Sequence, residues 1–288
     1  MTKSRIKTIM ARGLNHHVGA LWFMIPVFIP IMLQAEPRKI KHISELNEIL
    51  SQNLSKAHFG FRQFSWQEVH QSSILDVKSC KECNLGNYRI RSGGVGRSIA
   101  IQIPHRYSDL MTFPIGYRLC QMLDVQACGF NTSHRRSFDF AHHELSPFQD
   151  FTKALLSHDP DMLIVQIHGF RQSKRNTDFR PETHIILSGG AKKEAWWIEK
   201  GLKMINLHRD PRIKIFGRDT SELGGTTNKQ NVLMRALGKG RFLHIELSFT
   251  YRQRLLYDAR ELFKLKQIIH AMEDTTKNPQ VHSSRRAL

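Results

Sequence analysis

Apolar and amphipathic segments alternate along the chain from residue 98 to residue 272. Short apolar runs of strand length occur at 98–104, 125–130, 161–168, 183–188, 212–216 and 242–247. Between or after them lie segments whose apolar residues recur every three or four positions, as in a helix that buries one face, at 115–123, 147–157, 194–205, 228–236 and 253–272. The pattern predicts a single α/β domain with a mixed, largely parallel sheet and helices on both faces.

The first 35 residues have a different character. Four basic residues and no acid precede an apolar run over 18–33, and the small residue Ala35 follows. These are the three parts of a signal peptide. Because the run contains Pro26 and Pro30 and is shorter than the roughly 20 residues that span a bilayer, cleavage after Ala35 is favoured over an uncleaved anchor. We therefore expect a periplasmic or secreted protein, free of the membrane after cleavage.

The remaining chain divides by composition into three parts. Residues 36–97 form a polar N-terminal segment, residues 98–272 the α/β domain, and residues 273–288 a polar, flexible tail. The four cysteines are Cys80, Cys83, Cys120 and Cys128. An even number in an exported chain favours two structural disulfides, whose pairing the sequence leaves open. A zinc knuckle would need a second C-x-x-C pair, which is missing.

The chain is strongly basic, with a formal net charge of +18. Such a surface attracts anionic partners, and outside the cytoplasm these are cell wall, acidic polymers or membrane surfaces. The basic residues are spread along the sequence, so a merely solubilising surface explains them equally well. The aromatic and basic motif of RNA-binding sheets does not occur, so we expect no nucleic-acid partner.

Residues with metal-binding chemistry stand where the predicted strands end. His105 and His168 follow or close two strands, Glu246 closes a third, and Asp109 comes four residues after His105. Because the carboxyl ends of parallel strands meet at one edge, these side chains are expected to lie close together. Two histidines and an acid form an open catalytic zinc site, and a free carboxylate would be its general base. The alternative is a set of hydrogen-bonded rim residues, with Glu246 paired to Arg252.

Further candidate groups lie in the connecting segments. The adjacent Arg135 and Arg136 are suited to holding a substrate carboxylate, although a solvated loop explains them as well. His142 and His143 are alternative ligands or substrate contacts. The glycine-containing segments 188–190 and 223–228 would either let backbone approach a ligand or form tight turns.

The order of these motifs resembles that of the zinc carboxypeptidase-like superfamily, whose relatives include N-formylglutamate amidohydrolases and poly-γ-glutamate hydrolases. The resemblance covers about residues 98–256 and lies in motif order rather than in a long matched string. It implies that His105, Asp109 and His168 bind zinc. It also implies that Glu246 activates the attacking water and passes its proton to the leaving amine.

For the substrate, the resemblance implies that Arg135 or Arg136, with Asn131, binds a carboxylate or polarises the scissile carbonyl. The carboxypeptidase pattern places a Glu three residues after the first His, whereas here the acid is Asp109, four residues on. Tyr251 is only a candidate for the late tyrosine of carboxypeptidases. These differences favour an amidohydrolase-like relative over a strict peptide carboxypeptidase.

Two functions follow from the sequence. The first is an exported zinc-dependent hydrolase that cleaves a peptide, γ-glutamyl or N-acyl amino acid bond next to a carboxylate, in a substrate derived from cell wall or an anionic polymer. The second is a non-catalytic basic envelope protein that binds cell wall or an anionic surface and tolerates Glu246→Gln. Another divalent metal in place of zinc is left open.

Overall fold

A computed structural model describes residues 38–39, 61–65, 86–91, 96–175 and 182–275. Nine strands in this part of the chain form one sheet. They are β1 Arg38–Lys39, β2 Phe61–Ser65, β3 Asn87–Arg91, β4 Arg97–Ile103, β5 Val125–Phe130, β6 Leu163–Phe170, β7 Ile185–Ser188, β8 Ile213–Ile215 and β9 Arg241–Ser248. The spatial order is β1-β2-β3-β5-β4-β6-β9-β7-β8. Only the pairs β2–β3, β3–β5 and β7–β9 are antiparallel, so the predicted mixed, largely parallel sheet is confirmed.

Helices cover both faces of this sheet, as predicted. They are α1 Thr112–Met122, α2 Pro147–His158, α3 Ala195–Met204, α4 Lys229–Leu237, α5 Phe249–Tyr257 and α6 Ala259–Asp274. In β4, Ile99, Ile101 and Ile103 belong to one core, together with apolar residues of α1, α3, α5 and α6. Ala100 belongs to a second core on the opposite face, with residues of α2 and α4. The two-residue period of a strand thus separates two cores and supports the sheet from both sides.

The sheet begins earlier in the chain than residue 98. Three strands, β1 to β3, come from the segment whose composition indicated only a polar surface. In β3 the alternating pattern is visible in retrospect, because Tyr88 and Ile90 are fully buried while their neighbours are partly exposed. Charged residues at the alternate positions concealed this strand, since they lower its mean hydropathy without changing its period.

The single long helix predicted over 253–272 is wrong, because two helices occupy this region. Asp258 between them has extended backbone (φ −107°, ψ 106°). Its carboxylate accepts a hydrogen bond of 2.9 Å from the backbone N–H of Arg260 and so caps α6. Asp258 with Glu261 three residues later is a helix-start signal, which breaks the continuous amphipathic pattern.

One disulfide lies in the described residues, between Cys120 of α1 and Cys128 of β5. The predicted signal peptide, the helical pattern near residue 45, Cys80, Cys83 and the tail after residue 275 lie outside the described residues. Among the helices described above, none combines the length and the apolar character of a membrane span.

Removing this disulfide in Cys120→Ala/Cys128→Ala is expected to lower the free energy of unfolding by roughly 2–3 kcal/mol. The bond closes a loop between residues eight positions apart and so restricts the unfolded chain. Urea unfolding of both proteins under non-reducing conditions measures the difference. Equal midpoints would contradict the stabilising role.

Candidate metal centre

Three ligand atoms converge at the carboxyl edge of the sheet. His105 follows β4, Asp109 lies in the turn after it, and His168 belongs to the neighbouring strand β6. The two Nδ1 atoms of the histidines are 3.1 Å apart. Each of them lies 3.4 Å from Oδ2 of Asp109. The structure therefore brings together the three residues that the sequence predicts as metal ligands.

The spacing of these three atoms fits a tetrahedral zinc site. Zinc bonds of 2.0–2.1 Å to nitrogen and carboxylate oxygen place neighbouring tetrahedral ligands about 3.3 Å apart. The observed triangle of 3.1, 3.4 and 3.4 Å has this size. Two imidazoles and one carboxylate also leave a fourth position for water or substrate, as in catalytic rather than structural zinc sites. These residues therefore fit a zinc ion.

Asp139 fixes the orientation of His105. Its Oδ1 lies 2.8 Å from Nε2 of His105 and 3.1 Å from Nδ1 of His142. Burial favours the neutral acid, but the hydrogen bonds with these two histidines outweigh it and lower the pKa of Asp139. An ionised carboxylate only accepts, so Nε2 of His105 carries a proton and donates it to Asp139. Burial disfavours the charged imidazole, but the hydrogen bonds with Asp109 and Asp139 outweigh it and raise the pKa of His105. A bound zinc ion would displace any proton from Nδ1, the atom that faces Asp109 and His168.

Asp109 and His168 are held in the charge states that a metal ligand needs. The carboxylate of Asp109 accepts a 3.1 Å hydrogen bond from the backbone N–H of Gly169. Although burial opposes ionisation, hydrogen bonds with His105 and His168 lower the pKa of Asp109. Burial lowers the pKa of His168 to about 4, with the Asp109 hydrogen bond opposing it. At neutral pH the site presents a carboxylate and a neutral imidazole.

A second carboxylate stands beside the three ligands. Glu246 of β9 lies opposite His168 in the parallel ladder between β6 and β9. Burial, followed by the charge of Asp109, raises the pKa of Glu246 to about 8. Its buried Oε2 has no hydrogen-bond partner within the described part of the chain. The alternative pairing with Arg252 does not form, since that guanidinium donates to the carbonyl of Leu247 at 2.7 Å.

The site opens into a cavity of about 350 Å³. Its walls combine the three predicted ligands and Glu246 with two arginines and the glycine-rich segment before α4. The lining residues are His105, Asp109, Arg135, His142, His168, Gly169, Arg175, Leu223, Gly224, Gly225, Thr226, Thr227, Asn228, His244 and Glu246. The segment 223–228 is thus a wall of the cavity. At Gly225 (φ 59°) an added Cβ would lie 2.6 Å from the ring of His244, so only glycine fits this wall.

Two other groups of possible ligands share residues with this site. His105, Asp139 and His142 form one, but the guanidinium of Arg135 already bonds Oδ2 of Asp139 at 2.8 Å and repels a cation there. The other consists of His168, His244 and Glu246. In that group the pKa of Glu246 is raised by burial, so its carboxylate is less suited to binding than that of Asp109. The group with Asp109 is the best ligand set.

The predicted substrate residues separate in the structure. Arg135 lines the cavity and is oriented by Asp139, whereas Arg136 is exposed outside it. Asn131 is fully buried and does not reach the cavity. Its amide accepts from the backbone of Arg106 at 3.1 Å and donates to the carbonyl of Ser133 at 2.7 Å, so it shapes the loop.

Tyr251 and His143 also lie away from the cavity lining. The Tyr251 ring stacks on His184 with centroids 5.1 Å apart, and its hydroxyl donates to Glu261 at 3.1 Å. His143 packs against Phe138 at 4.6 Å. The structure therefore offers no position for Tyr251 as the counterpart of the carboxypeptidase tyrosine.

Three further residues of the site were missed by the sequence reasoning. Asp139 lies four residues after Arg135 and pairs with it, and this spacing of acid and base was the available signal in the sequence. His244 lies two positions before Glu246 on the same face of β9, so the strand period pointed to it. Arg175 comes from the basic loop after β6, and nothing in its local sequence distinguishes it from other basic residues.

Replacing Asp139 with Asn is expected to weaken zinc affinity by about 10–100-fold, because the amide no longer fixes the Nε2–H tautomer of His105. Competition with a chromogenic chelator measures the affinity. The matched control is Asp161→Asn, whose carboxylate is exposed and outside the cavity lining. Unchanged affinity in Asp139→Asn would contradict this role.

No protein-family model matches the chain, and a search of curated proteins finds no significant match. Solved structures of similar fold include a bacteriophage poly-γ-glutamate hydrolase, with 16% identity over 70% of this chain and 93% of that chain, and a TM-score of 0.41. The N-formylglutamate amidohydrolase of Ralstonia eutropha has 10% identity over 67% and 96%, and a TM-score of 0.36. A metallo-carboxypeptidase of Burkholderia cenocepacia has 9% identity over 72% and 66%, and a TM-score of 0.37. These similarities are distant, and they describe what the chain resembles in fold.

Proposed function

We propose that this chain is an exported zinc-dependent hydrolase that cleaves an amide bond next to a carboxylate. The observation that carries the proposal is the triangle of Nδ1, Nδ1 and Oδ2 atoms from His105, His168 and Asp109, with the buried carboxylate of Glu246 beside it. A buried acid whose second oxygen lacks a partner is costly to a fold, so a role in chemistry accounts for it best.

In this proposal His105, Asp109 and His168 hold zinc. A bound zinc ion polarises a carbonyl and lowers the pKa of water. Glu246 accepts a proton from the attacking water and returns it to the nitrogen of the leaving amine. Burial raises the pKa of Glu246 to about 8, close to neutral pH, so this carboxylate can both accept the proton of the water and donate it to the amine.

Two arginines favour a substrate that carries a carboxylate. Arg135 lines the cavity, and its Nε donates a hydrogen bond to Asp139. This bond orients the guanidinium group and leaves its two terminal nitrogens available to a substrate. Arg175 lines the same cavity. A planar guanidinium binds a carboxylate through two parallel hydrogen bonds, which would orient the adjacent amide. The substrates that fit are peptides, γ-glutamyl compounds and N-acyl amino acids, including cell-wall fragments and anionic polymers.

Export is supported by the charge and apolar pattern of residues 1–35 and by the disulfide between Cys120 and Cys128. Disulfides persist in oxidising compartments such as the periplasm and the extracellular space. The Cys120–Cys128 bond thus agrees with the predicted periplasmic or secreted location.

The experiment that tests the function combines metal analysis with chelation. We expect about one zinc per purified chain, hydrolysis of a panel of N-acyl amino acids and γ-glutamyl peptides, and loss of that hydrolysis after dialysis against chelator. Adding zinc back should restore it, and manganese or cobalt tests the identity of the metal. If the protein is folded, was purified without chelator, contains no metal and hydrolyses none of these substrates, the result supports the alternative of a basic envelope-binding protein.

A further inference from the structure

A second cavity, of about 360 Å³, shares no lining residue with the cavity at the metal centre. Asn228 before α4 lines the first cavity, and Met234 within α4 lines the second. Along β9, Phe242 lines the second cavity and stands four residues before Glu246, which corresponds to about 13 Å of strand. The second cavity is therefore separate from the proposed catalytic site.

Two adjacent tryptophans give this cavity an aromatic wall. Trp197 is buried, with 2% of its surface exposed, and lines the cavity together with Met234 and Phe242. Trp196 lines the same cavity but is 47% exposed, which is a large apolar surface to leave in water. Gly189 of the 188–190 segment permits this arrangement, because an added Cβ would lie 2.9 Å from Nε1 of Trp197.

The polar groups around this wall carry both signs of charge. Lys193, Arg235 and Arg241 are opposed by Asp161 and Glu194. Within the described residues, the side chains of Lys193, Asp161 and Glu194 have no charged partner. The chain as a whole has a formal net charge of +18, but the positive and negative side chains of this cavity nearly cancel. The cavity is therefore poorly suited to anions. Unpaired donors and acceptors next to an exposed indole suit a neutral ligand with many hydroxyl groups.

We propose that this cavity binds a sugar ring of a neutral glycan. A pyranose ring offers a face of C–H groups that packs on an indole, here Trp196, and a rim of hydroxyls that bond carboxylates and cationic donors. Asp161 and Glu194 accept from these hydroxyls, and Lys193 donates to them. The volume, within the usual range of small-molecule sites, accommodates one or two rings. The site does not depend on the proposed hydrolysis or on the metal.

Isothermal titration of the purified full chain with the β-1,4-linked tetramer of N-acetylglucosamine tests the proposal. We expect saturable binding that is equal before and after treatment with chelator. In Trp196→Ala the affinity should fall about tenfold or more, since the stacking surface is lost. The matched control is Phe263→Ala, which removes another aromatic ring with 47% exposure from α6, a helix that does not line this cavity, and should bind normally.

The proposal is overturned if the tetramer does not bind at millimolar concentration, or if Trp196→Ala binds as well as the unchanged chain. Inorganic phosphate that binds without the tetramer, and is lost in Lys193→Ala, would identify an anion site instead. Only about half of Trp196 is exposed, so its replacement should lower the thermal unfolding midpoint by a few degrees. Circular dichroism at the temperature of the titration establishes that lost binding is not lost folding.

Discussion

Glu246→Gln is expected to lower turnover by about 10²–10⁴-fold while zinc remains bound at about one ion per chain. The amide keeps the size of the carboxylate but accepts no proton, so water activation and protonation of the leaving amine both fail. The three ligand residues are unchanged. Measuring kcat and metal content in the same preparation separates loss of chemistry from loss of metal.

The stability of this variant has a predictable sign. Burial raises the pKa of Glu246 to about 8, which means that the folded chain without metal disfavours the charged form. A neutral amide removes the cost of burying a charge. Without zinc, the thermal unfolding midpoint of Glu246→Gln should therefore equal or exceed that of the wild-type chain. Glu199→Gln, on the exposed side of α3, is the control and should retain full turnover. Full turnover in Glu246→Gln would refute the mechanism.

His168→Ala is expected to abolish zinc binding. The replacement removes one corner of the ligand triangle and leaves two donors, which hold zinc far more weakly than three. Metal analysis after gel filtration should find about one zinc per unchanged chain and a negligible amount in the variant. Hydrolysis should be lost with the metal.

The control for this variant is His158→Ala, which removes a partly exposed histidine at the end of α2 and outside the cavity lining. It should retain zinc and turnover. Circular dichroism establishes that His168→Ala is folded. A folded His168→Ala with undiminished zinc would mean that the metal is held elsewhere, and it would contradict the ligand set.

The central strands and the helices between them were predictable because the apolar periodicity and the helix-start signals in the sequence agree. Strand β5 was predicted to the residue, and Ser146 caps α2 by accepting a hydrogen bond from Gln149 at 3.2 Å, as the Ser-Pro pair indicated. Strand β3 was not predicted because its charged residues concealed the alternation of buried positions. The break at Asp258 was not predicted because the amphipathic pattern continues across it. Strand β9 lies between β6 and β7 and is antiparallel to β7. This arrangement depends on contacts between residues distant in sequence, which local patterns do not encode.

The convergence of His105, Asp109, His168 and Glu246 was predictable because parallel strands bring their carboxyl ends to one edge. His168 and Glu246 nevertheless lie inside their strands, two residues before the ends of β6 and β9, and so face each other directly in the ladder. What the sequence did not distinguish was the direction of each side chain. Arg135 and Arg136 are adjacent in the sequence, but only Arg135 lines the cavity, where its hydrogen bond to Asp139 orients it.

The position of β9 also determines when the site is completed as the chain folds. β9 is the last strand in sequence, yet it lies between β6 and β7 and pairs with β6 along its whole length. A chain that emerges N-terminus first therefore holds His105, Asp109 and His168 before it can place Glu246 beside them. Glu246, the proposed general base, is thus the last group of the site to join the sheet, and an unfinished chain would contain the three proposed ligands without it.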